Sequence, residues 1–183
     1  MSRRVIIILI AVVIAAALAT AAFLFLPKKQ TNAESEAVIS AMEQMIPGFG
    51  SENQVSSGFG RDPLAALSIN GLDIVGGLEI PSLDLCAPIT VKGVVRPCFV
   101  TWISGSPVSG SFCLSGSRED VFSRLTNCEP GDKVIFTDID GVRYKYEVTT
   151  QFHLKNWDEA EYDLMLFYET DKDTKFVLGC MAE

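Results

Sequence analysis

One uncharged segment near the N-terminus constrains this chain more than any other feature. From Val5 to Leu26 no residue is charged, and Thr20 is the only polar side chain. As a helix the segment would run roughly 33 Å at about 1.5 Å per residue, enough to cross a hydrocarbon core of about 30 Å. Arg3 and Arg4 precede it, so the positive-inside rule predicts a cytoplasmic N-terminus and a C-terminal part outside the cell.

The competing interpretation of this segment is a cleaved signal peptide. Ala17-Leu18-Ala19 and Ala19-Thr20-Ala21 both have the small-residue form of a cleavage site. The apolar core of a signal peptide spans only about 7–15 residues, however, and this segment is longer. The sequence therefore favours a single-pass anchor in the cell membrane over residues 1–29, a helix and linker over 30–61, and an extracellular domain over 62–183.

Charge and composition limit the partners of this domain. The formal net charge of −8 and the sequence pI of 4.7 exclude nucleic acid and anionic lipid surfaces, because both require basic patches. The five cysteines form no C-x-x-C pair and His153 is the only histidine, so we expect no zinc site and no cofactor. We interpret the cysteines as buried structural thiols with room for one disulfide, since the odd count leaves at least one unpaired.

Two segments connect the anchor to the domain. Thr31–Ile46 has the pattern of an amphipathic helix: Thr31 and Glu34 match a capping box. Val38, Met42, Met45 and Ile46 share one face, which could pack on the domain or lie at the membrane surface. Pro47–Arg61 is rich in Gly and Ser, as is typical of a flexible spacer.

From Asp62 onward, short apolar or alternating runs are separated by turn residues. They predict strands at residues 73–80, 84–89, 97–103, 111–115, 133–137, 142–148, 163–169 and 174–180. Asp140-Gly141 is a strong hairpin signal between two of these strands. One helix is predicted over Arg118–Thr126, with Ser117 as its N-cap. About eight strands and one helix in so short a span predict a mainly β domain that closes into a barrel.

Several short motifs occur within these elements. They are Gly77–Leu85 (Gly-Leu-Glu-Ile-Pro-Ser-Leu-Asp-Leu), Phe122-x-x-Leu125, Pro130–Val134, Gly141–Val148, Asp163–Leu166 and Thr174–Leu178. In this order, over roughly Gly71 to Cys180, they resemble the sortase family. The resemblance implies an eight-stranded β-barrel with one or two short helices behind an N-terminal transmembrane helix, on a Gram-positive-type cell surface.

Sortases are cysteine transpeptidases, and the resemblance implies a site with three catalytic groups. In the family a cysteine attacks a sorting-signal peptide, a histidine acts as general acid or base, and an arginine stabilises the oxyanion. In this sequence the histidine position falls on Ser117, the cysteine position on Glu169 and the arginine position on Lys175. All three family residues are therefore replaced.

No other cysteine is placed to substitute for the missing nucleophile. The sequence has none between Cys128 and Cys180, so the penultimate strand lacks one in any register. Cys180 follows Lys175 by an odd number of residues, which places it on the opposite face of the last strand. Cys113 lies on the strand before the predicted helix. The resemblance thus implies a degenerate, non-catalytic sortase whose partners are a sorting-signal peptide, a surface protein, a pilin or an active sortase.

Two alternatives stay open at this point. The first is an active cell-surface transpeptidase or peptidase that uses Ser117 with Lys175, or one of the cysteines. The second is a structural surface barrel whose groove is closed by Phe167 and Tyr168. The remaining candidates receive structural interpretations: His153 as a strand-end residue, Trp102 and Trp157 as packing residues, and Asp138, Asp140 and the acidic run 158–163 as acids without a calcium-loop spacing.

Overall fold

The computed structural model describes residues 33–46, 48–50, 60–155, 162–171 and 173–183. The predicted anchor over Val5 to Leu26 and the capping residue Thr31 lie outside these ranges. Within them, no helix is both long and apolar enough to span a bilayer. The chain divides into two compact units, Met1–Glu34 and Ser35–Glu183, and every contact given below is within the second.

In the described part of the chain nine strands form one sheet, which confirms the mainly β prediction. The strands are β1 (Leu67–Ile69), β2 (Leu72–Ile80), β3 (Leu85–Thr90), β4 (Val100–Ser106), β5 (Gly110–Ser115), β6 (Lys133–Asp138), β7 (Arg143–Leu154), β8 (Leu164–Asp171) and β9 (Thr174–Ala182). Their order in the sheet is β1-β2-β3-β4-β5-β8-β9-β7-β6, and β6 also pairs with β2. The last pairing joins β2 through β9 into a closed circuit of eight strands, with β1 attached to β2.

Strand β1 is the element that the sequence interpretation missed. It pairs antiparallel with β2 across Asn70-Gly71, and both turn residues have positive φ, 53° and 79°. A two-residue turn of this kind favours Asn-Gly, so the dipeptide itself was the available signal. The strand has only three residues, too few for an alternating pattern to be seen.

Alternation along the strands separates an inner layer from an outer one. On β8, Leu164, Leu166 and Tyr168 belong to the main buried cluster. Met165 and Phe167 alternate with them and pack in a second cluster on the other face. On β8, Phe167 and the residues an even number of positions from it therefore face outward. Only side chains on this outer face can form a surface site.

The predicted amphipathic helix is present as α1 (residues 33–45) and packs on the domain. Val38, Met42 and Ile46 are at most 1% exposed, and they form a cluster with apolar residues of β1 and β2. Met45, predicted on the same face, is 54% exposed. In the spacer, Phe49 is also buried in this cluster, so the prediction of a flexible spacer is wrong at this residue; residues 51–59 lie outside the described ranges.

The predicted helix over Arg118–Thr126 is wrong as an α-helix. The segment is a series of turns that ends in a 3₁₀ helix over Leu125–Asn127. Its hydrogen bonds mostly join residues three apart, such as Leu125 N to Phe122 O and Cys128 N to Leu125 O. Phe122, Leu125 and Cys128 are all buried, and their spacing of three matches the 3₁₀ repeat. Burial of this triplet outweighs the weak helical preference of so short a segment.

Candidate functional site

An open cavity of about 560 Å³ lies on the outer face of β4, β5, β8 and β9. Its floor is a row of cross-strand partners: Thr101 on β4 is paired with Ser115 on β5, which is paired with Phe167 on β8. Further walls come from the loop after β3 and the turn after β5. The lining residues beyond this row are Val95, Arg96, Phe99, Ile103, Gly116, Ser117, Arg118, Glu119, Glu169 and Lys175.

The structure brings Ser117, Glu169 and Lys175 together in this cavity. They come from three different elements: the turn after β5, the end of β8 and the start of β9. Glu169 on β8 is the direct cross-strand partner of Lys175 on β9. Because side chains alternate between the two faces of a strand, both residues lie on the outer face. The three residue positions therefore form one constellation, although they are as many as 58 residues apart, from 117 to 175.

Ser117 is fixed by the turn that follows it. Its Oγ accepts a hydrogen bond from the Glu119 amide at 3.2 Å, and its carbonyl accepts one from the Phe122 amide at 2.9 Å. The predicted capping role of Ser117 is thus found, but at the start of a turn instead of an α-helix. Gly116 before it donates to the Phe167 carbonyl at 3.1 Å, which ties this turn to β8.

Lys175 is held against the cavity floor. Its Nζ lies 4.8 Å from the centroid of the Phe167 ring, within the range of a cation–π interaction. Glu169 across from it is exposed at the outer end of β8. A carboxylate, an ammonium and a hydroxyl therefore face one open space whose floor combines the Phe167 ring with the side chains of Thr101 and Ser115. Such a surface can bind a polar, extended ligand through hydrogen bonds and charge.

None of the five cysteines lines this cavity. Cys98 lies in the loop between β3 and β4, next to the lining residue Phe99. Cys113 belongs to the outward cluster with Phe167, two residues before Ser115. It is 1% exposed, and burial raises the pKa of its thiol to about 11, despite a hydrogen bond from Ser104 and the charge of Lys175. A buried thiol that stays protonated at neutral pH is a poor nucleophile.

Cys86, Cys128 and Cys180 lie in other parts of the domain. Cys128 and Cys180 belong to the main core, which confirms the predicted inward face of Cys180. Burial raises the pKa of Cys128 to about 11 and that of Cys180 further. Cys86 is exposed but lines a separate cavity of about 350 Å³, together with Glu79 and Arg143.

The order of elements agrees with one known family. A family model described as the sortase domain matches residues 78–178, more than half of the chain. The chain belongs to the sortase family. The matched range begins in β2 and ends in β9, and it includes Ser117, Glu169 and Lys175.

Solved sortase structures show the same fold. Sortase C1 from Streptococcus agalactiae superposes with a TM-score of 0.55 at 18% identity, over 81% of this chain and 89% of that one. Sortase A from Corynebacterium diphtheriae gives 0.53 at 17% identity, over 81% and 83%. Sortase A from Listeria monocytogenes gives 0.51 at 19% identity, over 60% and 87%. A comparison of the sequence with curated proteins found no match.

Most of the residues that line the cavity of this sortase-family domain were not predicted as site residues, among them Arg96, Phe99, Arg118 and Glu119. Arg118 and Glu119 directly follow Ser117 in the sequence, so their presence near the site could have been predicted from the position of Ser117. Arg96 and Phe99 belong to the loop between β3 and β4. Nothing in the local pattern of that loop indicates a site, because its approach to the cavity depends on the closure of the sheet.

The remaining candidates lie elsewhere. His153 is exposed on β7. The centroids of its ring and the Phe176 ring are 5.6 Å apart, in an edge-to-face arrangement. Trp102 packs on the main core and donates from Nε1 to the Gly105 carbonyl at 2.8 Å. Tyr168 faces inward and stacks on Phe176 at 5.0 Å, so only Phe167 of the predicted closing pair lines the cavity. Trp157 and most of the acidic run lie outside the described residues.

Proposed function

We propose that this chain is a non-catalytic member of the sortase family that binds a peptide segment of a partner protein in the cavity around Ser117, Glu169 and Lys175. One observation carries the proposal. Ser117, Glu169 and Lys175, which the sequence resemblance assigns to the positions of the family's histidine, cysteine and arginine, line one cavity. The scaffold of a peptide site is retained without its nucleophile.

The chemistry of these replacements supports a binding role. Transpeptidation by the family's mechanism needs a thiolate that attacks a carbonyl carbon and forms a thioester as the peptide amine leaves; a second amine then attacks the thioester and releases the thiolate. A carboxylate at Glu169 cannot form that intermediate, and the buried thiols are protonated at neutral pH. The apolar floor around Phe167 and Ile103, with opposite charges above it, suits a peptide with apolar side chains and a polar backbone.

The location belongs to the same proposal. The uncharged segment Val5 to Leu26 holds the domain on the outer face of a Gram-positive-type membrane, where wall proteins carry sorting signals. The closed circuit of β2 to β9 is the eight-stranded barrel of the family, and its groove faces those proteins. The partner is then a surface protein, a pilin, or an active sortase that shares the same substrates.

The test uses the full chain and sorting-signal peptides of the kind that sortases cleave. Mass spectrometry follows cleavage, and NMR shifts follow binding. We expect no cleavage and shifts that cluster around Ser117, Glu169 and Lys175. Lys175→Met should weaken binding, whereas the matched control Lys145→Met, on the exposed part of β7, should not. Turnover, or shifts elsewhere on the domain, would contradict the proposal.

An active enzyme with altered chemistry is the second candidate, because Ser117 and Lys175 share the cavity. A serine nucleophile with a lysine base is a known arrangement. Ser117 Oγ accepts the Glu119 amide, which leaves its proton free to be taken by a base. Cleavage that is lost in Ser117→Ala but survives alkylation of all thiols would support a serine enzyme. If no peptide binds at all, the purely structural alternative is favoured.

A further inference from the structure

The loop between β3 and β4, residues 91–99, forms one rim of the cavity, and we name it the rim loop. Val95, Arg96 and Phe99 of this loop line the cavity directly. Val95 is 83% exposed, so its side chain is available to a ligand. The position of the rim loop therefore sets the width of the opening that a peptide would meet.

Two threonines hold the N-terminal half of the rim loop. The Val94 carbonyl accepts hydrogen bonds from Thr90 Oγ1 at 2.9 Å and from Thr101 Oγ1 at 3.0 Å. Both threonines are buried on the sheet, at 0% and 5% exposure. This half of the rim loop is thus fixed by the strands themselves, independently of any other element.

The C-terminal half of the rim loop is held by helix α1 instead. Ser35 Oγ donates a hydrogen bond to the Cys98 carbonyl at 3.1 Å, across 63 residues of sequence. Ser35 is 5% exposed, so this bond is shielded from water. Cys98 itself has a φ of 62°, a conformation that a side-chain-bearing residue adopts rarely and that its surroundings must stabilise.

Phe99 makes a second link between α1 and the cavity. Its side chain is 1% exposed and packs in the cluster of Val38, Met42 and Ile46 from α1 and its end. The same residue also lines the cavity. A shift of α1 would therefore move Phe99 and the Cys98 carbonyl together, while Val94 stays fixed by the threonines.

We infer that helix α1 positions the rim loop, so that displacement of the helix changes the affinity of the cavity for peptide. Ser35 and Phe99 are the positioning residues. The peptide part of this inference rests on the proposed function, whereas the control of loop position does not. Because coupling of two equilibria is reciprocal, a bound peptide also strengthens the docking of α1.

Amide hydrogen exchange on the full chain tests the positioning without any ligand. The Phe99 amide donates to the Arg96 carbonyl and the Val94 amide to the Val91 carbonyl, both at 3.3 Å, so each half of the rim loop has a reporter. We expect Ser35→Ala to speed exchange at Phe99 by about 2- to 10-fold, the range of one lost hydrogen bond, and to leave Val94 unchanged. Ser35→Thr, which keeps the hydroxyl, should restore the wild-type rate.

Ser40→Ala is the matched control, because Ser40 is an exposed serine on the same helix. It should leave both amides unchanged. Equal exchange at Phe99 in the wild type and Ser35→Ala would overturn the inference. A general acceleration that includes the amides of β7 and β9 would also overturn it, since it would show a loss of global stability instead of a local role.

Peptide affinity separates this inference from the proposed function. With a sorting-signal peptide as probe, Ser35→Ala should weaken binding about 2- to 10-fold and Ser40→Ala should not. Saturating peptide should slow exchange in the part of α1 after Ser35. If peptide binds all variants equally, the coupling is wrong. If it binds none, the proposed function fails, and the exchange at Phe99 alone decides whether α1 positions the loop.

Discussion

Glu169 on β8 lies directly opposite Lys175 on β9, and both residues line the cavity that also contains Ser117. The sheet thus brings a carboxylate and an ammonium to the two positions that we propose as the counterparts of the family's cysteine and arginine. This pair also permits a direct test of whether the position still suits a reactive thiol.

We expect Glu169→Cys to create the most reactive thiol of the protein. The position is exposed, and the ammonium of Lys175 opposite it would lower the pKa of the new thiol. Alkylation mapped by mass spectrometry should label this residue at least about tenfold faster than Cys113, Cys128 or Cys180. The reason is that a fall of one unit in the pKa of a thiol raises its thiolate fraction about tenfold.

Two further variants control this experiment. Adding Lys175→Met to Glu169→Cys should slow labelling, because it removes the nearby positive charge. Adding Lys145→Met, on the exposed part of β7, should have no effect. Labelling of the new thiol no faster than that of Cys113 would show that position 169 is shielded, contrary to the structure.

The sequence predicted the strands that carry this pair because their signals are local. The apolar run before Asp140-Gly141 and the two halves of the last hairpin place β6, β8 and β9 within a few residues, whereas the alternating run after Asp140-Gly141 gives the start of β7 but not its continuation from Val148 to Leu154. The turn after Ser117 was predicted wrongly, because burial of Phe122, Leu125 and Cys128 depends on the shape of the core. The rim loop residues Arg96 and Phe99 could not be found for the same reason: only the folded sheet brings them to the cavity.

The native cysteines should differ in reactivity according to their burial. We expect alkylation at pH 8 to label Cys86 first, since it is the cysteine whose side chain is exposed. Burial raises the pKa of Cys86, Cys113 and Cys128 alike to about 11, so about one thiol in a thousand is ionised at pH 8 in each, and the access of the reagent to the thiol decides the order. Time-resolved mass spectrometry of the native protein measures the order. Early labelling of Cys113 would contradict its burial.

Gly77 on β2 should be required for docking of the segment after α1. A Cβ at Gly77 would lie 2.2 Å from Cε2 of Phe49, a ring that is 6% exposed. We expect Gly77→Ala to lower the free energy of unfolding by about 1–3 kcal/mol, the usual cost of overpacking a buried contact. Urea unfolding followed by circular dichroism measures this loss.

A double-mutant cycle distinguishes this contact from a backbone effect. In a Phe49→Ala background the ring is absent, so adding Gly77→Ala should cost little further stability. If Gly77→Ala costs the same in both backgrounds, the loss arises from the strand itself and not from Phe49. Gly71→Ala is no suitable control, because its φ of 79° imposes strain of its own.

Asp138 at the end of β6 should make stability depend on pH. It is 3% exposed, and its Oδ1 accepts the amides of Asp140 and Val142 at 3.0 and 2.9 Å. Burial raises its pKa above the ordinary value of 3.8, although these hydrogen bonds lower it in part. The folded state therefore binds this proton more tightly than the unfolded chain. Its contribution to stability is full below pH 3.8 and is lost as the pH rises through the folded pKa.

Asp138→Asn keeps an oxygen acceptor for both amides and removes the titration. We expect the unfolding free energy of this variant, relative to wild type, to rise from about pH 3 to pH 7, as measured by urea unfolding over a pH series. Asp138→Ala loses the acceptor and should be destabilised by about 1–3 kcal/mol at every pH. Asp73→Asn, on the exposed face of β2, controls for the loss of one negative charge. A difference between Asp138→Asn and wild type that stays constant or falls with pH would contradict the burial of an ionised carboxylate at this turn.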